Sequence, residues 1–331
     1  MTASSVIISG LGTSIPDKVV TNDDLSKVID TSDDWIRSRS GIGERRLAGE
    51  NETASSLGAA AARAAIADAG ISKDEVDLVI VGTMSPDMPF PSTACLVQAE
   101  LGLGTVAAFD VVAACSGFLY ILEVGAKLMK SGAYRNALII GAEKMSSILD
   151  WQDRTTCVLF GDGAGAAVLS LSDQANTGVG EIILRADGSK MDLLNMPGGG
   201  ARMPASAESV SARQHFLKMN GKEVFKNAVR EMGDITLETI EKNGLVPDDI
   251  KCFIPHQANI RIIESLAKRL QVDMSRVYVN IDRYGNTSAA SVPIAMWEAR
   301  QKGYFGPGDN ILLTAFGAGL TWGGAVVRWP E

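Results

Sequence analysis

Three short stretches of this 331-residue chain carry side chains suited to covalent chemistry. In "FDVVAACSGFLY" (109–120) an apolar run gives way to Cys115, with Ser116 and Gly117 directly after it. In "FIPHQAN" (253–259) an apolar segment ends at Pro255 and His256 follows; in "YGNTSAAS" (284–291) Asn286 precedes two hydroxyl residues and a run of small ones. A thiol can serve as a nucleophile, and an imidazole at a strand tip suits acid/base or hydrogen-bond work. Taken singly, each has a plainer use: free cysteine packs as a small hydrophobe, a histidine is often satisfied inside a core, and Asn before Thr-Ser caps a helix.

The elements that must hold these groups are legible from periodicity. Reading "VAAFDVVAA" as a strand and "SGFLYILEVGAKLMK" as a helix puts Cys115 at a helix N-terminus. There the dipole and unpaired amides are expected to lower a thiol pKa. His256 stands at the tip of a strand and is one of only two histidines, the other being His215. The helix after it buries Ile262, Ile263, Leu266 and Leu270 and turns Arg261, Lys268 and Arg269 outward. That basic face is either a solvated surface or a seat for an anionic partner.

The chain also repeats itself. Gly70 matches Gly244, Asp74 matches Asp248 and Ile80 matches Ile254, every pair separated by the same interval, and "ALIIGAE" at 137–143 falls on "ILLTAFG" at 311–317 with that interval again. A period this long excludes a solenoid. It predicts two duplicated α/β halves, 1–175 carrying the thiol and 176–331 carrying His256 and Asn286, divided at the turn-rich "SDQANTG". Ala289, Ala290 and Ser291 then fall where Cys115, Ser116 and Gly117 fall, so the second half keeps the turn without the thiol. The aperiodic stretch 195–212 reads as a long loop. The glycine-rich "FGDGAG" (160–165) lacks the lysine of a phosphate loop, and its counterpart "FGAG" marks it as a repeated structural turn.

Composition narrows the partners. A net charge of −8 argues against a general binder of nucleic acid or membrane surfaces. Four scattered cysteines with no CxxC pair suggest neither a disulfide framework nor a metal site. With no leader pattern and no long apolar run, a cytoplasmic location is expected.

"AACSGF", "PHQAN", "YGNTSAAS", "GDGAGAAVL" and "FGAGLTWG" together resemble the 3-oxoacyl-(acyl-carrier-protein) synthase III enzymes of the thiolase-like superfamily, from "GTSIPDKVVTN" (12–22) to the end of the chain. The resemblance implies a layered αβαβα core and a decarboxylating Claisen condensation that starts type II fatty-acid synthesis. Cys115 would be acylated from acyl-CoA, with acetyl-CoA the expected donor, and malonyl-acyl carrier protein would then supply the enolate. His256 and Asn286 would stabilise that enolate, and the backbone N–H groups of Cys115 and Ala318 would form the oxyanion hole. Trp35, Arg39 and Arg154 would hold the adenine end of CoA, and Gly221, Phe225 and Asn259 the pantetheine arm. Phe160 and Phe316 would wall the acyl pocket, with Phe90 closing it across a homodimer interface. Lys226, Arg261, Lys268 and Arg269 would dock the carrier protein. Neither a metal nor a cofactor is implied beyond the CoA thioester substrate. Ser40 where threonine is common and Ala318 where glycine is often found depart from the pattern. Two other activities use the same groups: a related condensing enzyme of secondary metabolism, and a thioester hydrolase, for which a "CGSCW"-like segment is missing.

Overall fold

The computed structural model describes residues 5–174 and 176–330, so residue 175, where the first half is expected to end, and the chain ends lie outside the described residues. Nine strands build two sheets. The first contains β1 (Ser5–Ser14), β2 (Leu78–Gly82), β3 (Ala107–Val111), β4 (Asn136–Glu143) and β5 (Gly163–Ser172) in the order β1-β5-β4-β2-β3. The second contains β6 (Gly178–Ala186), β7 (Ile250–Pro255), β8 (Asn310–Gly317) and β9 (Thr321–Arg328) in the order β7-β8-β9-β6. Both are mixed. β2 runs parallel to β3 and β4, and β7 runs parallel to β8, while the pairings that involve β5 or β9 are antiparallel.

Apolar runs such as "LVIVG" and "NALIIGAE" are buried on both faces, and such strands require cover on each side. Helices α1 (Asp33–Ser40), α2 (Ala54–Ala69) and α3 (Thr93–Leu101) come early in the chain. Of these, α2 and α3 cover the outer face of the first sheet through Leu57, Ala62, Val97 and Leu101 against Val79, Val81 and Ile140. Next come α4 (Gly117–Lys130), α5 (Gly221–Lys242), α6 (Ile260–Leu270) and α7 (Ser291–Gln301). Phe118 and Leu122 of α4 and Val292 and Met296 of α7 fill the space between the sheets, against Ile80 and Ile139 on one side and Ile254 and Leu313 on the other. The amphipathic α5 and α6 cover the outer face of the second sheet. The result is five layers, α-β-α-β-α. A fourth apolar cluster, with Ile36, Ile42, Val158, Phe160, Leu194 and Leu217, roofs the open end.

The duplication is visible at single residues. Short 3-10 turns at Ala114–Ser116 and Ser288–Ala290, separated by the interval of the sequence repeat, precede α4 and α7. Each opens on a non-glycine residue in the left-handed region, Ala114 at φ 46° and Ser288 at φ 49°. Both turns break the chain sharply, so the helix starts later than the sequence pattern suggests: Cys115 lies in the turn and α4 begins at Gly117. The halves differ at the sheet edge. β3 has no full counterpart in the second sheet, where only an isolated bridge joins Phe253 to Val277 and the chain then coils into a short helix at Ile281–Tyr284. The expected loop at 195–212 contains one helical turn, Ala207–Ser211.

The two turns meet at the molecular centre. A Cβ on Gly141 would stand 2.4 Å from the Ala289 carbonyl oxygen, and one on Gly117 would stand 3.1 Å from the Ala289 methyl. Gly141→Ala is therefore expected to force the halves apart and to cost about 1–3 kcal/mol, read from chemical denaturation. An unchanged midpoint would show that the contact is not tight.

Candidate active site

A cavity of about 570 Å³ opens beneath the roof, with Cys115, His256 and Asn286 on its walls. The three come from different places: the turn after β3, the residue beyond β7, and the segment between the Ile281–Tyr284 helix and the second turn. All three are buried.

Burial outweighs the helix at Cys115. Desolvation pushes the thiol up to about 12, against hydrogen bonds from the Ser288 hydroxyl, the Cys115 amide and the Asn286 side chain, while the Glu143 carboxylate adds to the rise. The expectation of a thiol acidified by a helix N-terminus is thus corrected. Cys115 sits two residues before α4 begins, buried deeply enough that desolvation outweighs the helix start and favours the neutral thiol.

His256 is fixed by its neighbours. Its N–H donates to the Thr314 carbonyl (2.7 Å), and its Nδ1 lies 2.5 Å from Ser291 Oγ, the residue that opens α7. Burial pushes the imidazole down to about 3, so it is neutral at working pH. With Nδ1 engaged, Nε2 is the ring atom left for the cavity. A serine hydroxyl both donates and accepts, so it supports either tautomer.

Asn286 is held on three sides. Its N–H donates to Leu159 O (2.8 Å), its carbonyl accepts from Gly161 N (3.1 Å), and its Oδ1 accepts from Ser288 N (2.8 Å). Thr287, not Asn286, holds the cap position of the turn, but the bond from Ser288 N–H fixes the orientation of the Asn286 amide and leaves Nδ2 to donate into the site. A bridge joins Phe160, on the cavity wall of one half, to Asn286 of the other.

A hydroxyl knot ties the closing "FGAG" segment to the nucleophile turn. Thr321 Oγ1 donates to the carbonyls of Ala113 (3.0 Å) and Ala318 (2.9 Å), and Ser116 Oγ stands 2.8 Å from it. Gly317 packs against the same turn, where a Cβ would lie 2.7 Å from Cys115 N. These contacts hold the segment Gly317–Ala318 beside the turn that carries the Cys115 amide.

The remaining expected residues divide. Trp35, Arg39, Gly221, Phe225 and Asn259 line the cavity, as do Phe160, Phe316 and Arg261. Arg39 lies 4.5 Å from the Trp35 ring centre and Arg154 5.4 Å, so Arg154 reaches the aromatic from outside the lining while bonded to Asp30. Asn259 spends its amide on protein: Nδ2 donates to Arg39 O and Oδ1 accepts from Arg261 N, capping α6. Phe90 does not line the cavity of its own chain and is 83 % exposed on the loop before α3. Of the basic residues, Lys226 pairs with Glu223, and Arg269 pairs with Asp234 and lies over Gly233, so its guanidinium staples α6 to α5. Arg261 and Lys268 are exposed.

Sequence reasoning missed Lys222 at the cavity mouth, Ser291, Thr321 and Glu143. Only Glu143 left a signal, as an acid ending an otherwise apolar strand. Among the described residues no group of acidic, histidine and cysteine side chains is arranged to hold a metal ion.

Two family descriptions match this chain: "3-Oxoacyl-[acyl-carrier-protein (ACP)] synthase III" over residues 109–188 and its C-terminal counterpart over 240–329. A beta-ketoacyl-(acyl-carrier-protein) synthase III from Roseiflexus sp. is 51% identical over 99% of both chains. The crystal structure of a 3-oxoacyl-(acyl-carrier-protein) synthase III from Aquifex aeolicus superposes with a TM-score of 0.91 at 46% identity, covering 98% of this chain and 100% of the other. A priming β-ketosynthase from the R1128 polyketide biosynthetic pathway superposes equally well, at 0.91, with 36% identity over 99% of this chain and 97% of its own.

With burial dominating the thiol, alkylation of Cys115 by iodoacetamide is expected to rise about tenfold per pH unit between roughly pH 7 and 9, without levelling. A plateau below about pH 8 would show that the turn acidifies the sulfur after all.

Proposed function

The chain belongs to the 3-oxoacyl-(acyl-carrier-protein) synthase III family, the acyltransferases that carry out the initiating condensation of fatty-acid synthesis, and from that premise we propose how its own residues divide the work. The observation that carries the reading is the convergence of Cys115, His256 and Asn286, drawn from both halves, on one cavity with Trp35 and Arg39 at its wall.

Acyl-CoA enters with its base against the Trp35 ring in place of one guanidinium, and the pantetheine arm runs past Gly221 and Phe225. A side chain at Gly221 would meet only the Met219 methyl, at 3.7 Å, so the space beside it is open to a ligand. The Cys115 sulfur attacks the thioester carbon, and the oxygen takes up charge between the amides of Cys115 and Ala318. The thiol proton leaves through His256 Nε2, in the tautomer whose Nδ1–H donates to Ser291, and ends on the departing CoA sulfur. Phe160 and Phe316, both buried, line the same cavity as the sulfur and would flank the acyl group it carries.

Malonyl-acyl carrier protein then replaces CoA. Loss of CO2 leaves an enolate whose oxygen is met by two neutral donors, Asn286 Nδ2 and His256 Nε2–H, the latter in the tautomer that accepts the Ser291 proton at Nδ1. The enolate carbon bonds to the acyl carbon, the Cys115 sulfur leaves as thiolate and is reprotonated, and the product is the 3-oxoacyl thioester of the carrier. A neutral imidazole suits this step because it donates without first having to lose a charge. Arg261 and Lys268, exposed on α6 beside the mouth, give the acidic carrier a basic seat on a chain of net charge −8. The 36% identity to a polyketide-priming ketosynthase favours a second reading, the same chemistry with another starter.

A homodimer accounts for the apolar rim. β3 is the open edge of the first sheet and half-exposed throughout, with Val112 78 % and Phe90 83 % exposed beside it. Pairing of two β3 edges would cover these residues and bring one chain's Phe90 toward the other's cavity. Among the described residues no helix is long and apolar enough to cross a membrane.

Incubation with acetyl-CoA and malonyl-acyl carrier protein should give a 3-oxoacyl product by mass; free acid alone would point to a hydrolase, and a preference for larger starters to the second reading. Cys115→Ser should abolish acylation, whereas Asn286→Ala should acylate normally and condense on the order of 10²-fold more slowly; equal loss in both steps would remove the assigned role. Val112→Asp should convert a two-chain species in sedimentation to a single chain, and wild-type protein that sediments as one chain would refute the edge pairing.

A further inference from the structure

Because the halves are duplicates, each residue of one turn can be compared with its twin. β4 ends at Glu143 and β8 at Gly317, which are twins in the repeat, and Ala289 is the twin of Cys115. In the second half the end of β8 has no side chain, and one could not be accommodated, since its Cβ would stand 2.7 Å from Cys115 N and 3.0 Å from Ser116 N. The missing side chain lets the end of β8 lie directly against the Cys115 amide. In the first half the same position carries a carboxylate that reaches the twin amide, with Glu143 Oε1 3.5 Å from Ala289 N.

The other partners of Glu143 explain how a fully buried acid is tolerated. It accepts from Ser85 Oγ (2.5 Å), Ser85 N (3.1 Å), Met84 N (3.2 Å) and Thr83 Oγ1 (3.2 Å), all in the segment that follows β2. Every neighbour is a donor, and none of the bonds comes from a cation. Such a carboxylate has a single stable position, because each oxygen must stay on its donors or be left buried and unsatisfied.

We propose that Glu143 is a positioning residue for the condensation: it fills in the degenerate turn the amide pocket that the substrate oxygen fills in the active turn, and so fixes Asn286 against Cys115. The mechanical path is short. Glu143 holds Ala289 and, from the other side, the segment 83–85; Ala289 belongs to the Ser288–Ala290 turn; and Ser288 N–H holds Asn286 Oδ1 at 2.8 Å. A turn released from Glu143 would let the Asn286 amide drift, and displacement of a catalytic donor by about 1 Å costs on the order of 10²-fold in rate. The proposal rests on the reading of Cys115 and Asn286 given above, so its test needs a readout that does not depend on turnover.

Two variants of the full chain serve, Glu143→Gln and Glu143→Asp. The glutamine sets an NH2 group against donors, and the aspartate keeps the charge with a shorter reach. Hydrogen–deuterium exchange should rise about tenfold or more in residues 284–291 of E143Q, with E143D between it and wild type. In single-turnover assays the E143Q acyl-enzyme should form with an unchanged KM for acetyl-CoA and condense on the order of 10²-fold more slowly, with E143D recovering part of the rate. Exchange at 284–291 equal to wild type in E143Q overturns the proposal whatever the activity, and so does undiminished condensation. Should E143Q fail to fold, E143D must by itself show faster exchange and slower condensation, or the proposal fails. Should wild type make no 3-oxoacyl product, the functional reading falls, and the exchange result alone decides whether Glu143 anchors the turn.

Discussion

Everything in this structure depends on how closely two sharp turns approach each other at the centre of the molecule. The backbone of Ala289 presses on Gly141, its methyl faces Gly117, and Gly317 lies against the amide of Cys115. Such contacts have no room for even one methyl group. They set the spacing between halves, and through it the distances among a sulfur from one half and an imidazole and a carboxamide from the other. The sheets and helices serve that spacing: α4 and α7, packed between the sheets, begin at the two turns and carry their positions into the core.

A dry site imposes opposite shifts on its two titratable groups. Removing water raises the thiol and lowers the imidazole, so both rest neutral. Neutrality suits the proposed chemistry better than an ion pair would, because the charges that matter form on a thioester oxygen during acylation and, separately, on the enolate when CO2 leaves. Preset amides and a neutral N–H meet that charge without first giving up a strong partner of their own. The cost falls on the first step, which begins from a protonated nucleophile.

Much of the architecture was open to reading in the amino-acid order. The long internal repeat, visible in Gly70 and Gly244, appears in the structure as twin turns at Ala114 and Ser288 with matching left-handed residues. Cys115 and His256 stood out because chemically able side chains sat where apolar runs ended, Asn286 through the family motif around it, and all three share a cavity. What could not be read depends on three-dimensional surroundings. Burial reversed the shift expected at Cys115 because desolvation acts on the sulfur from every side, whereas the helix start acts from one. Ser291 and Thr321 hold their partners through contacts between remote segments, and small polar residues are common enough to carry no signal of that. Phe90 is exposed and lies outside its own chain's cavity, which only the three-dimensional course of its loop decides.

The loss of a fifth strand from the second sheet has a consequence for valency. Its outer strand is covered at Phe253 by Val277 and Tyr278, whereas β3 of the first sheet is left uncovered. A second exposed edge of the β3 kind would let chains add end to end into a fibre. Association through β3 alone engages the same edge of both chains at once. Growth then stops at a closed, symmetric pair, and the irregular stretch that replaced the strand is the one that carries Asn286.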